Sequence, residues 1–554
     1  MRAERSATRR AAPLARLLRL ALARPTLAFG LAVAALTLPS LGAKDLWFPD
    51  ETRHAAVLVQ MVVHGHWLAL RLGETFYADK PPLCFGLVAL LALATGSTAP
   101  PVFMAAAALS GWAYLAALAR LGRAAGLGRP AVLTAGLMLL SCWFFVERLH
   151  HPRMGLLFAA LILWAQAEFL SALRTGRGAV AGWVAAGLAV LTKGPAGAAL
   201  PLAALPAGLA IRRPAPGLRR GLGRGALAFL GIMAAYLGGV WWTAGPEAVR
   251  ALVVDQSLGR ALGAESLSQP WHWYLAPLAA AVLPWTLALA AVRARHLRAP
   301  GAALLWAGFA AGLAVLSVAD YKAAHFLVPL LGPFALALAH ALWRAPARLR
   351  RALWAGMAGL WALAAAAPFA ARWTLWPEAV QGELAVAAAA GATALLPWRL
   401  RRRGPAVFAA AAVLGAVLTA LPYYQLTVRG PNAVMSPRAA GAILAAHHAR
   451  GHATAEFHPS YRGLFDYHAG HAVTQIADPA ALDALVAAAP CGVVAIRPRD
   501  LEAWAGAPAD LERLAEQRPD YARYVLVRWG GPACAAPPPQ PAASASCACR
   551  QSAA

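Results

Sequence analysis

The chain has 554 residues, of which 60% are hydrophobic and only 13% are charged, so it is not an ordinary soluble protein, whose residues are about one quarter charged. Its formal net charge of +26 would suit a nucleic-acid-binding protein. The arginines, however, lie in short clusters between apolar runs, and this distribution excludes nucleic acid as a partner.

The apolar runs recur between residues 25 and 422, and they are long enough to cross a bilayer core of about 30 Å as helices. Only helices and closed barrels satisfy their backbone hydrogen bonds in lipid, so the sequence predicts an α-helical polytopic membrane protein. Residues 1–24 and many linkers between the runs are basic. The positive-inside rule assigns such segments to the cytoplasm, and the N-terminal tail is therefore expected to lie inside.

Alternation from an inside tail predicts about 13 transmembrane helices within a membrane region of residues 25–429. The predicted spans are residues 25–43, 100–119, 130–147, 154–173, 178–192, 196–211, 225–243, 273–292, 301–319, 324–343, 352–371, 376–397 and 404–422. Residues 83–97 are expected to lie along the outer interface instead. Long outer loops are then predicted at residues 44–82 and 244–272, and short ones at 148–153, 193–195, 320–323 and near 372–375.

The first outer loop carries an acidic pair, Asp50 and Glu51, after the aromatic stretch DLWFP, which is typical of the headgroup level of a membrane. The spacing of apolar residues that follows predicts an amphipathic helix from Glu51 onward, with Asp50 as its N-cap. Capping explains one carboxylate, but two in series exceed what a helix end needs. We therefore expect both residues to be catalytic.

The lysines are few, and all of them lie in predicted outer loops, at positions 44, 80, 193 and 322. Lys80, Lys193 and Lys322 abut the mouth of a predicted helix. Because an ammonium is a compact point charge that commonly binds phosphate, we interpret these three as ligands of a donor phosphate. The alternative is that they only anchor helix ends at the interface.

The C-terminal region, residues 430–531, is more polar than the rest. Strand-like segments at 453–459, 491–498 and 521–529 alternate with helix-like segments at 437–451 and 508–517, which predicts a small α/β domain outside the membrane. Residues 532–554, rich in Pro, Ala and Ser, are expected to be disordered. The six cysteines predict neither a disulfide framework nor a zinc site, because their spacing and partners do not fit one.

The balance of charges in the outer loops indicates a reaction class. Glycosidases use two carboxylates because an alkoxide leaving group must be protonated. A sugar joined to a lipid phosphate has a leaving group that is already a stable anion, so it needs cations and at most one base on the acceptor side. One leading carboxylate with several basic groups is therefore typical of glycosyl transfer from a polyprenyl phosphate.

The first outer loop also resembles that of GT-C glycosyltransferases related to protein O-mannosyltransferases, and it looks most like that of bacterial 4-amino-4-deoxy-L-arabinose:lipid A transferases. The matching positions form an acidic pair, a G-x-W and a Y-x-DKPP motif: Asp50, Glu51, Arg53, Gly65, Trp67, Tyr77, Asp79, Lys80, Pro81 and Pro82. Residues 191–195 and 320–338 resemble two further stretches of the family.

The resemblance implies an inverting transferase of the bacterial inner membrane that moves a sugar from undecaprenyl phosphate to lipid A or another envelope acceptor. It implies that Asp50 is the catalytic carboxylate and that Tyr77, Lys80 and Lys193 contact the donor phosphate. Two positions depart from the family. Relatives often have an Asp in the second outer loop, where this chain has Arg153, and often a Tyr where it has Phe326. These changes indicate a different acceptor, a changed donor or a diverged paralogue.

Further contacts to substrate or acceptor are predicted at Arg53, Asp79, Arg153, Arg250, Arg260 and His325. No cofactor is expected to be required, and His272 with Asp79 is the candidate pair for a divalent metal. The protein is expected to be a monomer whose partners are membrane lipids. Three alternatives stay open: transfer to Ser or Thr of secreted proteins, a lipid or sugar transporter, and a catalytically inactive scaffold.

Overall fold

The structure is a computed structural model, and it describes residues 19–47, 49–259, 269–367, 382–400, 402–457, 462–518 and 523–535. The predictions for Arg260, for the loop near residue 372 and for residues 1–18 and 536–554 lie outside the described residues. Helices make up most of the described residues before residue 449, and a mixed β-sheet with short helices follows.

Every predicted span contains helix in its described part. The helices are Pro25–Thr37, Pro100–Ala124, Arg129–Leu140, Trp143–Leu149, Gly155–Thr175, Ala179–Lys193, Ala196–Ile211, Leu218–Arg250, Leu275–Ala281, Ala294–Arg298, Pro300–Val318, Val328–Arg344, Ala347–Ala364, Glu383–Arg399 and Pro405–Pro422. Several begin with proline, whose fixed φ and missing N–H suit the first helical position. The segments Trp285–Ala291 and Ala324–Leu327 form 3-10 helix, whereas Ala251–Gly259 and Tyr423–Thr427 form π-helix.

Within the described residues, six helices are long and apolar enough to cross a membrane. The pair Arg129–Leu140 and Trp143–Leu149 passes the same test as one span bent by 75°. The acid predicted within a span, Glu168, is buried and forms an ion pair with Arg120 at the end of Pro100–Ala124, which explains how a carboxylate is accommodated there. The chain is therefore a multi-pass helical membrane protein.

The first outer loop folds as a layer over the helix ends. Its parts are the helix Pro49–His64, a hairpin of β1 (Arg71–Leu72) and β2 (Thr75–Phe76), and the apolar helix Leu83–Thr95. Ala55, Leu58 and Met61, on one face of the first helix, pack against apolar residues of the other two parts in a core of their own. This core holds the acidic start of the helix in a fixed place.

The C-terminal region contains a five-stranded sheet in the order β4-β3-β5-β7-β6. Its strands are β3 (Ala453–Phe457), β4 (Thr474–Ile476), β5 (Gly492–Ile496), β6 (Glu512–Gln517) and β7 (Tyr524–Trp529), and its helices are Arg429–Met435, Arg438–His448, Asp466–Ala469, Pro479–Ala488 and Pro498–Glu502. β3 runs parallel to β4 and β5, whereas β7 is antiparallel to β5 and β6.

Two predictions in this region are wrong. Residues 508–517 were predicted to be helical, but residues 512–517 form β6, because the open edge of the buried strand β7 offers a full row of hydrogen bonds that outweighs helix propensity. The cysteines do form one disulfide, between Cys491 and Cys534. They lie 43 residues apart in the sequence, and only the pairing of β5 with β7 brings them together.

Candidate active site

The helix Pro49–His64 places its two acidic residues in different surroundings. Consecutive helical residues point about 100° apart, so Asp50 and Glu51 cannot share one face. The Asp50 side chain is 41% exposed, whereas Glu51 is completely buried. Both lie in the first turn, where the helix dipole favours negative charge.

Glu51 is held on both of its oxygens. Lys44 Nζ donates to Oε2 at 2.5 Å, and His151 Nδ1 lies 2.8 Å from Oε1. The Lys44 ammonium also lies over the Trp47 ring, and His151 Nε2 is 3.3 Å from Glu147. Burial would raise the pKa of Glu51, but the positive charge of Lys44 and the contacts with His151 lower it well below its usual range. Glu51 thus connects the first and second outer loops, and its surroundings do not suit the predicted catalytic role.

Asp50 is fixed by Arg53 without being covered. Arg53 Nη2 donates to Asp50 Oδ1 at 2.6 Å, and Arg53 Nη1 lies 3.3 Å from Asp79 Oδ2. Gln256 Nε2 donates to Asp79 Oδ1 at 3.1 Å, and Lys80 Nζ donates to the Asp79 carbonyl oxygen at 3.0 Å. Asp79 therefore joins the DKPP motif to the Asp50 helix and to the long outer loop.

The carboxyl group of Asp50 is ionised at neutral pH. Burial would raise its pKa, but the surrounding positive charge outweighs burial and lowers the pKa to about 2. The groups that lower it are His54, Arg153, Arg53 and Lys80. Burial lowers the pKa of His54 itself to about 3, so His54 is neutral at pH 7 and the cations carry the effect.

Lys193 completes a group of four cations around Asp50, which we call the cation cluster: Arg53, Lys80, Arg153 and Lys193. It is the last residue of its helix, which ends at Gly194 with φ +92°. Burial and the nearby charges of Lys80 and Arg153 lower the pKa of Lys193 to about 7, whereas Asp50 raises it. Its Nζ lies 4.7 Å from the centre of the Phe326 ring. His325 interacts electrostatically with Lys193, Arg153, Arg148 and Asp50. Phe326, the family departure, thus contacts a predicted phosphate ligand.

The β1–β2 hairpin positions Tyr77 beside this cluster. Gly73 has φ +58° at the turn, and the Tyr77 N–H donates to the Leu70 carbonyl at 2.8 Å as the chain leaves the hairpin. The Tyr77 ring is 5% exposed, with the Phe85 ring at 6.1 Å and the Arg53 guanidinium at 5.9 Å. Tyr77 therefore lies in the wall of the site, directly behind the cation that holds Asp50.

Lys322 binds backbone carbonyl groups and does not belong to the cation cluster. Its buried ammonium donates to the backbone carbonyls of Ala319 at 2.5 Å and Gln269 at 2.8 Å. These bonds use two of its three N–H donors at the end of the helix Pro300–Val318. They suit an anchor for the long outer loop better than the predicted phosphate ligand.

Other predicted contacts are not part of the cluster. The Arg250 side chain is 68% exposed and lies 4.0 Å from Glu247. His272 packs edge-on against Trp271, and in the described parts of the chain no group of three or more His, Cys, Asp or Glu could hold a metal ion. Arg260 lies outside the described residues.

Sequence reasoning missed three participants: Lys44, His151 and His54. Lys44 and His151 flank motif residues but gave no signal of their contact with Glu51. His54 is buried one turn after Asp50, and its Nε2 has no hydrogen-bond partner within the described residues. The i, i+4 spacing of Asp50 and His54 on a predicted helix was the signal that could have found it.

The chain is similar to proteins of known activity. The undecaprenyl phosphate-alpha-4-amino-4-deoxy-L-arabinose arabinosyl transferase of Pseudomonas paraeruginosa is 30% identical over 342 residues, which are 59% of this chain and 60% of the relative. The protein of the same name from Pseudomonas aeruginosa is 30% identical over 334 residues, 57% of this chain and 58% of the relative. The similarity thus spans about three fifths of these relatives' length. No family model matches the chain.

The fold is that of ArnT from Cupriavidus metallidurans. The crystal structure of that protein in the apo state has a TM-score of 0.74 at 22% identity, covering 95% of this chain and all of the other. Its structure bound to undecaprenyl phosphate has a TM-score of 0.72 at 22% identity and covers 92% and 98%. The resemblance to aminoarabinose transferases that the first outer loop indicates is confirmed.

Proposed function

We propose that the chain is a membrane glycosyltransferase that moves a sugar, of the aminoarabinose type, from undecaprenyl phosphate to a phosphate of lipid A. The named relatives and the undecaprenyl phosphate complex of ArnT support the donor and the reaction class. The chain's own residues support the proposal through the site around Asp50.

The observation that carries the proposal is an ionised, half-exposed carboxylate inside the cation cluster. With a pKa of about 2, Asp50 is a weak general base at neutral pH, because effective bases have a pKa near the working pH. A hydroxyl acceptor on Ser or Thr needs its proton removed, whereas a lipid A phosphate is already ionised. The site therefore suits a phosphate acceptor better than a protein hydroxyl.

The cation cluster is suited to two anions. Lys80 and Lys193, on different elements, are the proposed ligands of the donor phosphate, with Tyr77 in the wall behind them. Burial lowers the pKa of Lys193 to about 7, and the negative charge of a bound phosphate favours its ammonium form. Arg153 approaches from the second outer loop and is the proposed ligand of the acceptor phosphate. An acceptor oxygen attacks the anomeric carbon, the bond to the donor phosphate breaks, and the polyprenyl phosphate leaves as an anion among the cations.

Asp50 then acts on the sugar rather than on a proton. Its negative charge stabilises the positive charge that develops at the anomeric centre, and Arg53 keeps it in place. Glu51 positions the helix through Lys44 and His151. Asp79 and His325 are proposed to order the cluster through the contacts described above.

The topology belongs to the same proposal. Residues 1–24 lie in the cytoplasm, residues 25–429 form about 13 spans, and residues 430–531 lie in the periplasm of a bacterial inner-membrane protein that acts as a monomer. The Cys491–Cys534 disulfide supports an oxidising location for the C-terminal domain.

The test is mass spectrometry of lipid A from a deletion strain that carries the wild-type gene or Lys80→Ala. Arg250→Ala is the matched control, because Arg250 is an exposed cation outside the cluster. We expect the deletion and Lys80→Ala to lose a sugar-sized mass from lipid A and Arg250→Ala to keep it. Loss of sugar from secreted glycoproteins instead would favour the protein acceptor, and no change in either pool would overturn the transferase.

A further inference from the structure

Asn432 is the single asparagine of the chain. It lies in the short helix Arg429–Met435, within a stretch that leads from the last apolar helix to the outer sheet. We call residues 423–438 the junction segment. The chain has no other asparagine, and the contacts of the Asn432 side chain explain why an amide stands at this position.

The Asn432 side chain binds the first outer loop through three hydrogen bonds. Its Oδ1 accepts from the Asp45 backbone N–H at 3.0 Å and from the Trp47 indole N–H at 2.9 Å. Its Nδ2 donates to the Ala43 carbonyl at 2.7 Å. Two donors face one amide atom and a carbonyl faces the other, so the orientation of the amide is determined by its partners.

The first outer loop makes further contacts with the junction segment through the side chain of Asp45. Asp45 Oδ2 accepts from the Ser436 hydroxyl at 2.8 Å and lies 3.1 Å from Arg438 Nε. His468, in the outer domain, contacts the Leu46 carbonyl at 3.1 Å through Nε2. Hydrogen bonds from the junction segment and from the C-terminal domain therefore hold residues 43–47 in place.

The same five residues hold the start of the helix that carries Asp50. Lys44 lies between the residues that Asn432 binds, and its ammonium reaches Glu51 at 2.5 Å. The Trp47 N–H also points at Glu51, at 3.4 Å. A shift of residues 43–47 is thus transmitted to Glu51 and, one residue away, to Asp50.

The junction segment also contacts the second outer loop. The Tyr424 ring stacks on His150 with ring centres 3.7 Å apart, and His150 precedes the Glu51 ligand His151. The two loops that supply Arg53, Lys80 and Arg153 to the cation cluster therefore both contact residues 423–438.

We infer that Asn432 is a positioning residue of the transfer reaction, which sets the place of Asp50 by fixing residues 43–47 from the junction segment. The inference rests on the proposed function for its kinetic readout. Asparagine is required chemically, because only an amide offers an acceptor for two N–H groups and a donor for a carbonyl in so short a side chain. Aspartate would lose the donor and place a second carboxylate beside Asp45.

The kinetic test compares Asn432→Ala and Asn432→Asp with Gln517→Ala, using the purified protein with an undecaprenyl-phosphate sugar and lipid A. Gln517 is the matched control, because its side-chain amide also bonds the Arg429–Met435 helix, at the Val434 carbonyl, but not the first loop. We expect both Asn432 variants to lower kcat about 10- to 100-fold, since a displacement of about 1 Å at the reacting centre has effects of this size. The donor KM should stay within about threefold, because the phosphate ligands lie on other elements.

A second readout does not depend on activity. Hydrogen exchange at the amides of residues 44–54 should be about tenfold faster in Asn432→Ala, while β5 and β7 exchange as in the wild type. Unchanged exchange in residues 44–54, or an equal fall of kcat in Gln517→Ala, would overturn the inference. A wild-type protein without transfer activity would refute the proposed function alone, and exchange would then decide the role of Asn432.

Discussion

The predicted outer and inner ends of the molecule use positive charge in opposite ways. At the outer end, Lys44 is buried against Glu51, and Arg53 is shared between Asp50 and Asp79. At the predicted inner end, the five arginines between residues 212 and 224 are exposed, and no described contact pairs them with an acid. The net charge of +26 therefore includes two kinds of cation: those that pair with acids around Asp50, and exposed arginines that the proposed topology uses only for their summed charge.

The largest expected effect is a loss of folding stability when the buried ion pair between Lys44 and Glu51 is broken. Glu51→Gln leaves Lys44 buried without its anionic partner, and breaking a buried ion pair lowers the free energy of unfolding by about 3–5 kcal/mol. The measurement is thermal unfolding in detergent. Glu247→Gln is the control, because that carboxylate is 84% exposed, and it should change stability by less than about 0.5 kcal/mol. Equal shifts in both variants would show that the outer network is no more stabilising than a surface pair.

The next effect is on catalysis. Asp50→Asn removes the one half-exposed charge among the cations and should lower kcat about 100- to 1,000-fold through lost electrostatic stabilisation. Transfer from the lipid donor to lipid A is the measurement, with Asp255→Asn as an exposed control outside the cluster. An Asn variant as fast as the wild type would remove Asp50 from the mechanism.

A smaller effect is expected from pH. Because the folded-state pKa of Asp50 is lowered from 3.8 to about 2, its contribution to stability is complete above about pH 4 and is lost as the pH falls toward 2. Asp50 should therefore add no acid limb to the rate between pH 5 and 8. A fall of kcat with a midpoint in that range that disappears in Asp50→Asn would contradict an ionised carboxylate.

The smallest effect on transfer and stability is expected from a substitution at the predicted inner end. Arg219→Ala removes one exposed arginine of five and should change transfer less than about twofold and stability less than about 0.5 kcal/mol. Arg153→Ala, at the outer end, should weaken the use of lipid A far more. If the two variants behaved alike, the distinction between the two ends would be wrong.

The sequence predicted the fold well where one rule dominates. Long apolar runs predicted the helices from Pro25–Thr37 to Pro405–Pro422, because an apolar run of this length satisfies its backbone hydrogen bonds in lipid as a helix. It failed at β6 and at the Cys491–Cys534 disulfide, since both depend on strand pairing between distant segments.

The site was predictable as a set of residues but not as a division of roles. Rare lysines and the DKPP motif pointed to Lys80 and Lys193. The adjacent positions of Asp50 and Glu51 in the sequence could not show that Asp50 is partly exposed and Glu51 is buried, because that depends on Lys44 and His151. The separation of Lys322 from the cluster depends likewise on backbone carbonyls of a distant loop.

The contact between Asp45 and Asn432 joins residues that are 387 positions apart in the sequence, so the two residues are synthesised at different times. Ribosomes add about 5–20 residues per second, so the first outer loop is synthesised roughly 20–80 s before Asn432. During that interval residues 43–47 have only their local contacts with Glu51 and lack the hydrogen bonds from Asn432. If Asn432 positions the site as inferred, full activity is therefore expected only after almost the whole chain has been made.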